Sequence, residues 1–211
     1  MAYDFNGTNQ YLSGTAPIDG LTKPFTLACW FNSDTVTANQ YLVSLSSASS
    51  GGYAITAHGV LAGDPVLCIN TSGAFAQSSS GYTANTWNHV AGVFTSTSSK
   101  TVYLNGGSSG TNTTLDATNP TATNIHIGVT RFNGSFTQYS DARIAEVGVW
   151  NVALTAAEIA SLARGMTCDK VRPQSLVFYA PLVRDLIDVK GGVTITNNNT
   201  ATVANHPRVY A

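Results

Sequence analysis

Thr86-Trp-Asn-His-Val-Ala-Gly-Val-Phe-Thr-Ser-Thr-Ser-Ser-Lys-Thr-Val-Tyr-Leu-Asn-Gly106 reads as two strand patterns folded back on each other. His89, Ala91, Val93 and Thr95 fall on one side of the first arm and Val90, Gly92 and Phe94 on the other, the two-residue period of a β-strand. Val102 and Leu104 alternate with Thr101 and Tyr103 in the second arm, and residues 95–99, Thr-Ser-Thr-Ser-Ser, supply the turn. Asn105-Gly106 supplies another turn, because both residues accept the positive φ of a type I′ turn. The expected element is an antiparallel hairpin at the centre of a β domain.

Upstream, Phe25, Leu27, Cys29 and Phe31 share one face while Thr26, Ala28 and Trp30 share the other, which predicts a central strand covered on both sides. Tyr3–Phe5 and Gln10–Ser13 read as a paired couple of strands across the turn Asn6–Asn9. Short strands follow at Tyr41–Leu45, Tyr53–Thr56 and Val66–Ile69. Downstream, 107–123 reads as a polar loop long enough to be a functional or mobile excursion. Strands resume at Ile125–Val129 and Arg143–Trp150, the latter with Ile144, Glu146, Gly148 and Trp150 on one face. One helix is expected, from Ala156 to Arg164. Thr155 and Glu158 form a capping box, Leu154 and Ile159 a hydrophobic staple, and Gly165 the stop. Its narrow apolar stripe, Ile159 and Leu162, predicts a small lid on the end of the domain. Residues 1–165 form the expected domain. Residues 166–211, with strand character at Leu176–Leu182 and Val193–Thr196, form an extension packing on that domain or on a neighbouring subunit.

Composition excludes several partners. Only 10% of the 211 residues are charged, against about 25% in an ordinary domain, and the net charge is −1. The ten Lys and Arg are scattered, so neither nucleic acid nor an anionic membrane is an expected partner. Cys29, Cys68 and Cys168 are an odd number at long spacings, which fits neither a disulfide framework nor a zinc site. No run of 18 apolar residues occurs, and MAYDFNGTNQ lacks the basic and apolar regions of a signal peptide. Synthesis in a reducing cytoplasm is the corresponding expectation.

The residues that could carry chemistry are few. Glycoside hydrolysis needs two carboxyl groups flanking the scissile bond. The chain has two Glu, of which Glu146 stands alone on its strand and Glu158 belongs to the helix cap. The four His are far apart, and no nucleophile or phosphate-loop motif occurs. No enzyme is expected. The best binding candidate is the loop carrying Arg131, Phe132, Asn133, Phe136 and Tyr139. Aromatic faces stack on sugar rings and anchor protein interfaces, and Arg adds directional donors. The competing reading is that two of these aromatics plug the end of the domain.

Three separated stretches resemble one family. Asp4-Phe-Asn-Gly7 with Tyr11-Leu12, Trp87–Ala91 leading to Val102–Gly106, and Ile144–Ile159 are similar to the signature segments of laminin-G-like, concanavalin A-type jelly rolls. The resemblance implies an all-β, antiparallel two-sheet jelly-roll sandwich with one short helix on its C-terminal side. It also implies a fold used as a binding module, in adhesins, glycosidases and virion proteins. Many relatives carry Ile-Asp-Glu-Val where this chain has Ile144-Ala-Glu-Val147, and that Asp is associated with a structural calcium. Ala145 cannot ligate, so no cofactor is expected, with Asp4 or Asp141 left as the residues that could hold calcium. Leu176–Leu182 and His206–Val209 are similar to extensions of tailed-phage members. That likeness implies a non-enzymatic virion accessory protein, a capsid decoration or tail-associated subunit made in the host cytoplasm. Its partners would be capsid or tail subunits and further copies of itself. The alternative it leaves open is a carbohydrate-binding module or adhesin recognising a cell-surface glycan.

Overall fold

Both arms of the hairpin form, and the strands around them stack as two antiparallel sheets, in a computed structural model that describes residues 1–15, 21–47, 51–70, 72–118, 122–183 and 185–210. In chain order the strands are β1 (Ala2–Asn6), β2 (Tyr11–Thr15), β3 (Phe25–Ser33), β4 (Asn39–Ser46), β5 (Gly51–His58), β6 (Pro65–Ile69), β7 (Phe75–Gly81), β8 (Asn88–Ser96) and β9 (Ser99–Leu104). There follow β10 (Ser108–Asn112), β11 (Asn124–Ile127), β12 (Thr130–Phe132), β13 (Ser135–Thr137), β14 (Asp141–Trp150), helix α1 (Ala156–Ala163), β15 (Leu176–Ala180), β16 (Ile195–Asn198) and β17 (Thr202–Ala204). One sheet runs β10-β9-β8-β3-β14-β1-β17, with β15 beside the second half of β14. The other runs β16-β2-β11-β4-β5-β6-β7, and β12–β13 is a separate ribbon.

Alternation decides what lies between the sheets. Phe25, Leu27, Cys29 and Phe31 all point from β3 into the main core. There the Phe25 ring stacks on Phe94 at 4.6 Å and meets Tyr53 edge-on at 5.1 Å. β3 pairs with β8 and β14, so it is central as expected. Residues of the opposite parity, Ala28, Ala91 and Val93, face outward into a second apolar cluster with Trp150, Leu154, Ile159, Leu162 and Val171. The helix therefore lies across the outer face of the eight-stranded sheet and not on the end of the sandwich. Its capping box is present: Glu158 donates its N–H to Thr155 Oγ1 at 3.3 Å, and Thr155 donates its own to Glu158 Oε2 at 2.7 Å. Asn105 and Gly106 have φ of +51° and +76°, as the turn required. All three cysteines are free and buried.

Other expectations fail for identifiable reasons. β1 and β2 do not pair with each other; they belong to opposite sheets. Asn6 Oδ1 accepts the N–H groups of Thr8, Asn9 and Gln10, and this local bonding turns the chain from one sheet to the other. The turn of the central hairpin is shorter than residues 95–99, because β8 runs to Ser96 and β9 begins at Ser99. The supposed loop 107–123 contains β10, a strand without one apolar residue, paired along β9. β10 also packs on β7, where the Ser80 N–H donates to Ser108 Oγ at 2.8 Å and a Cβ at Gly110 would collide with the Gln77 carbonyl. Farther on, Asp116 is fixed by Lys23 Nζ at 2.9 Å and the Tyr53 hydroxyl at 2.7 Å.

Glu146 breaks the alternation of its strand. It has φ +53°, at a bulge between Ala145 and Gly148, so Ile144 and Val147 both face the main core. The first half of β14 pairs with β1 and the second half with β15 on the same side. Glu146 itself is buried and accepts the Tyr179 hydroxyl at 2.6 Å, and His206 Nε2 lies 3.2 Å from its other oxygen. Beyond the helix, β15 pairs with β14, β16 with β2 and β17 with β1, so residues after 165 supply strands to both sheets. Among the described residues, no helix is long and apolar enough to cross a membrane.

Candidate functional site

The loop with three aromatics is the ribbon β12–β13, standing on the outer face of the seven-stranded sheet. Val43 and Leu45 of β4 point into the core, so the alternate Ser44 and Ser46 face outward beneath the ribbon. Ser44 Oγ donates to the Val129 carbonyl at 2.9 Å, and the Tyr41 N–H donates to Gln138 O at 3.2 Å. Gly51 lets the ribbon approach β5, since a Cβ there would strike the Arg131 carbonyl oxygen. At the tip Asn133 and Gly134 have φ of +47° and +80°, the pair of values a two-residue hairpin turn demands.

Pairing of Arg131 with Phe136 and of Phe132 with Ser135 splits the five expected residues between the two faces of this ribbon. Arg131 and Phe136 share one face, the guanidinium 5.2 Å from the ring centroid. That face packs on Tyr11, whose ring is 4.5 Å from Phe136 and 6.3 Å from Tyr139, and on His126 at 5.1 Å from Phe136. Buried His126 has its Nδ1 3.0 Å from Ser46 Oγ. Burial, reinforced by the Arg131 charge, pushes its pKa down to about 4. Phe136 and Tyr139 are thus largely cover for the sheet.

Phe132 lies on the other face, 66% exposed, and with Asn133 it borders a cleft of about 570 Å³. The cleft gathers side chains from four separate segments: Tyr41, Ser46 and Ser47; Asn70 and Ser72; Phe132 and Asn133; Thr137 and Gln138. Arg131 also lines the cleft; its carbonyl lies against Gly51, and its Nε donates to the Gly134 carbonyl at 3.2 Å. Asn70 is 3% exposed; its Oδ1 accepts the Ser72 hydroxyl at 2.9 Å, while its buried Nδ2 has no partner among the described residues. Sequence reasoning missed Asn70, Ser72, Tyr41 and Gln138, which carry no motif and meet only through the fold. Among the described lining residues there is no carboxylate. The two Glu are used elsewhere, Glu158 at the helix cap and Glu146 between Tyr179 and His206.

The acidic residues that could hold calcium do not form a ligand set. Arg143 lies between Asp4 and Asp34, with Nε 3.5 Å and Nη1 3.1 Å from their carboxylates, and so occupies the place a cation would take. Burial first, and then the neighbouring carboxylates, raises the pKa of Asp4 and of Asp141. Among the described residues no three His, Cys, Asp or Glu side chains come together at metal-binding distance.

The architecture is shared with solved structures of low sequence identity. A heptameric SAP-like pentraxin from Limulus polyphemus superposes with a TM-score of 0.68 at 17% identity, over 96% of this chain and 97% of that one. A putative carbohydrate binding protein from Bacteroides ovatus gives 0.62 at 18% identity, over 97% of this chain and 61% of that one. Domain 4 of AbnA, a GH43 extracellular arabinanase from Geobacillus stearothermophilus, solved in complex with arabinotriose, gives 0.54 at 15% identity, over 77% and 76%. At these identities the likeness is one of fold. No curated protein matches the sequence significantly. A family model, however, covers residues 6–160, which run from the β1–β2 turn through the central hairpin and the bulged strand into the helix. The chain belongs to the concanavalin A-like lectin/glucanases superfamily, in its laminin-G-like branch.

Proposed function

We propose that this protein is a non-catalytic carbohydrate-binding module, and that the cleft beside β12–β13 holds the sugar. The observation that carries this reading is the lining. Neutral donors and acceptors from Ser47, Asn70, Ser72, Asn133 and Gln138 surround a cleft of about 570 Å³ whose rim bears an exposed phenylalanine. A sugar ring presents hydroxyls around its equator and apolar C–H faces above and below, which such a lining complements. The partner-free Asn70 amide is a donor for a sugar hydroxyl after a small side-chain adjustment. The Bacteroides and Geobacillus structures, by their descriptions, support the same use of the fold. The test is an array of neutral and acidic oligosaccharides probed with the whole chain and with Phe132→Ala and Asn70→Ala. Hits that both substitutions abolish are expected. An array without hits, or hits indifferent to both changes, overturns the reading.

A second reading, a phage virion accessory protein acting by multivalent protein contacts, is favoured by one observation. Among the described residues ten large apolar side chains are exposed, and six of them, Met166, Val183, Ile187, Val189, Val203 and Tyr210, lie beyond residue 165. Such residues suit repeated contacts whose strength comes from copy number. Mass spectrometry of virions from a phage encoding this chain should find it in stoichiometric amount. Its absence from the particles defeats this reading and leaves the first untouched.

A further inference from the structure

The outer face of the eight-stranded sheet carries a second cleft, of about 530 Å³, bounded by Asn32, Trp87, Arg143 and Asn205. Strand register explains its construction. Asn32 of β3 stands opposite Arg143 of β14, which stands opposite Asp4 of β1, so the three form one row across the outer face. Phe31 pairs with Asn88, and one step further Trp87 continues the row beside Asn32. The indole is half-buried, and Asn32 is 9% exposed with its Oδ1 buried and unpartnered among the described residues. Arg143 is the charged side chain on the border of the cleft, and Asp4 and Asp34 both pair with it, so its positive charge is more than offset by two carboxylates behind it. The helix and its apolar cluster stop short of this row, at Ala28, Ala91 and Val93.

We propose that this cleft is a second saccharide subsite, binding one neutral sugar ring. It rests on the reading of the protein as a carbohydrate-binding module. An aromatic plane beside the amides of Asn32 and Asn205 and a guanidinium already paired with carboxylates fits a ring that has an apolar face and hydroxyl edges. The unpartnered Asn32 oxygen requires a donor, and a sugar hydroxyl is one. An anionic ligand would be repelled by Asp4 and Asp34, which outnumber the one guanidinium between them. This cleft opens away from the one beside β12–β13, because the two lie on outer faces of different sheets. One chain therefore presents two subsites in opposite directions.

The same oligosaccharide array separates this subsite from the first, using Asn32→Leu and Trp87→Phe in the whole chain. Asn32→Leu removes a buried oxygen without a partner, so a preserved or raised melting temperature is expected; this keeps the test valid should Trp87→Phe fold poorly. Some neutral hits should weaken at least about tenfold in Asn32→Leu and Trp87→Phe, a difference of about 1.4 kcal/mol, while surviving Phe132→Ala. The same sugars should shift the tryptophan emission of the unmodified protein. If every hit is lost with Phe132→Ala and none with Asn32→Leu or Trp87→Phe, the second subsite is overturned and the first stands. Hits lost only through Asn32 and Trp87 establish the second and remove the first. An array with no hits removes both.

Discussion

The two outer faces of the sandwich are built from the same alternation and treated in opposite ways. On the eight-stranded sheet the outward residues Ala28, Ala91 and Val93 are small and apolar, and the chain covers them with α1, Trp150 and Val171. On the seven-stranded sheet the outward residues Ser44, Ser46 and His126 are polar, and a short ribbon stands on them and leaves a cleft. An apolar outward face must be covered to be stable, and its cover becomes a second core. A polar one needs only local hydrogen bonds, so the cover can be small and its flank left open. The difference locates stability on one side and the larger candidate site on the other.

That division can be broken first at Trp150, which is fully buried and donates its Nε1–H to the Val171 carbonyl at 2.8 Å. Trp150→Ala should lose about 3–5 kcal/mol in calorimetry or urea unfolding, with the helix detached; a loss under 1 kcal/mol would mean that the second core is dispensable. Next in size is acid sensitivity. Each outer face holds a buried histidine whose neutral form is favoured: burial pushes His89 down to about 3, and burial with the Arg131 charge pushes His126 down to about 4. Unfolded histidine takes up its proton near 6.5, so the unfolded state binds more protons below that value. Stability is therefore fully present above pH 6.5 and falls as the pH drops toward 4, by about 2–3 kcal/mol for a shift the size of that at His126. Urea midpoints measured from pH 7 to 4 should show this fall, and His126→Asn should flatten it more than any change on the ribbon's exposed side.

Thr155→Ala removes the helix cap and should lower stability by about 1 kcal/mol without touching oligosaccharide binding, which would tie the helix to the covered face alone. The smallest stability effect belongs to Phe132→Ala. At an exposed rim position it should change unfolding by less than about 0.5 kcal/mol, yet abolish array hits that need the ribbon cleft. A large loss of stability there would mean that Phe132 is cover, like Phe136.

Much of the scaffold was legible because it is periodic. Phe25, Leu27, Cys29 and Phe31, the turn Asn105-Gly106 and the capping box of Thr155 and Glu158 each carry a local signal, and each appears where it was expected. β10 was not legible, since Ser-Ser-Gly-Thr-Asn has no apolar alternation and becomes a strand only by pairing with β9. Nor was the exchange of sheets between β1 and β2, because pairing partners are chosen by the whole sandwich. Glu146 defeats a strict two-residue reading by one inserted residue. Within the candidate site, Phe132 and Asn133 could be found as part of an aromatic loop. Phe136 and Tyr139 have the same chemistry but the opposite face. Asn70, Ser72 and Gln138 come from loops with no pattern, and only the fold brings them together.

The meeting of β7 with β10 has a bearing on crowding. Open flanks of β-sheets invite strands from other molecules, and long stacks of such strands are how fibrils grow. Here the last strands of the two sheets close on each other where Gly110 abuts the Gln77 carbonyl, and a side chain at 110 would wedge that seam apart. The β7 and β10 edges sealed this way do not offer a free flank to neighbouring molecules, and that closure depends on the missing side chain at Gly110.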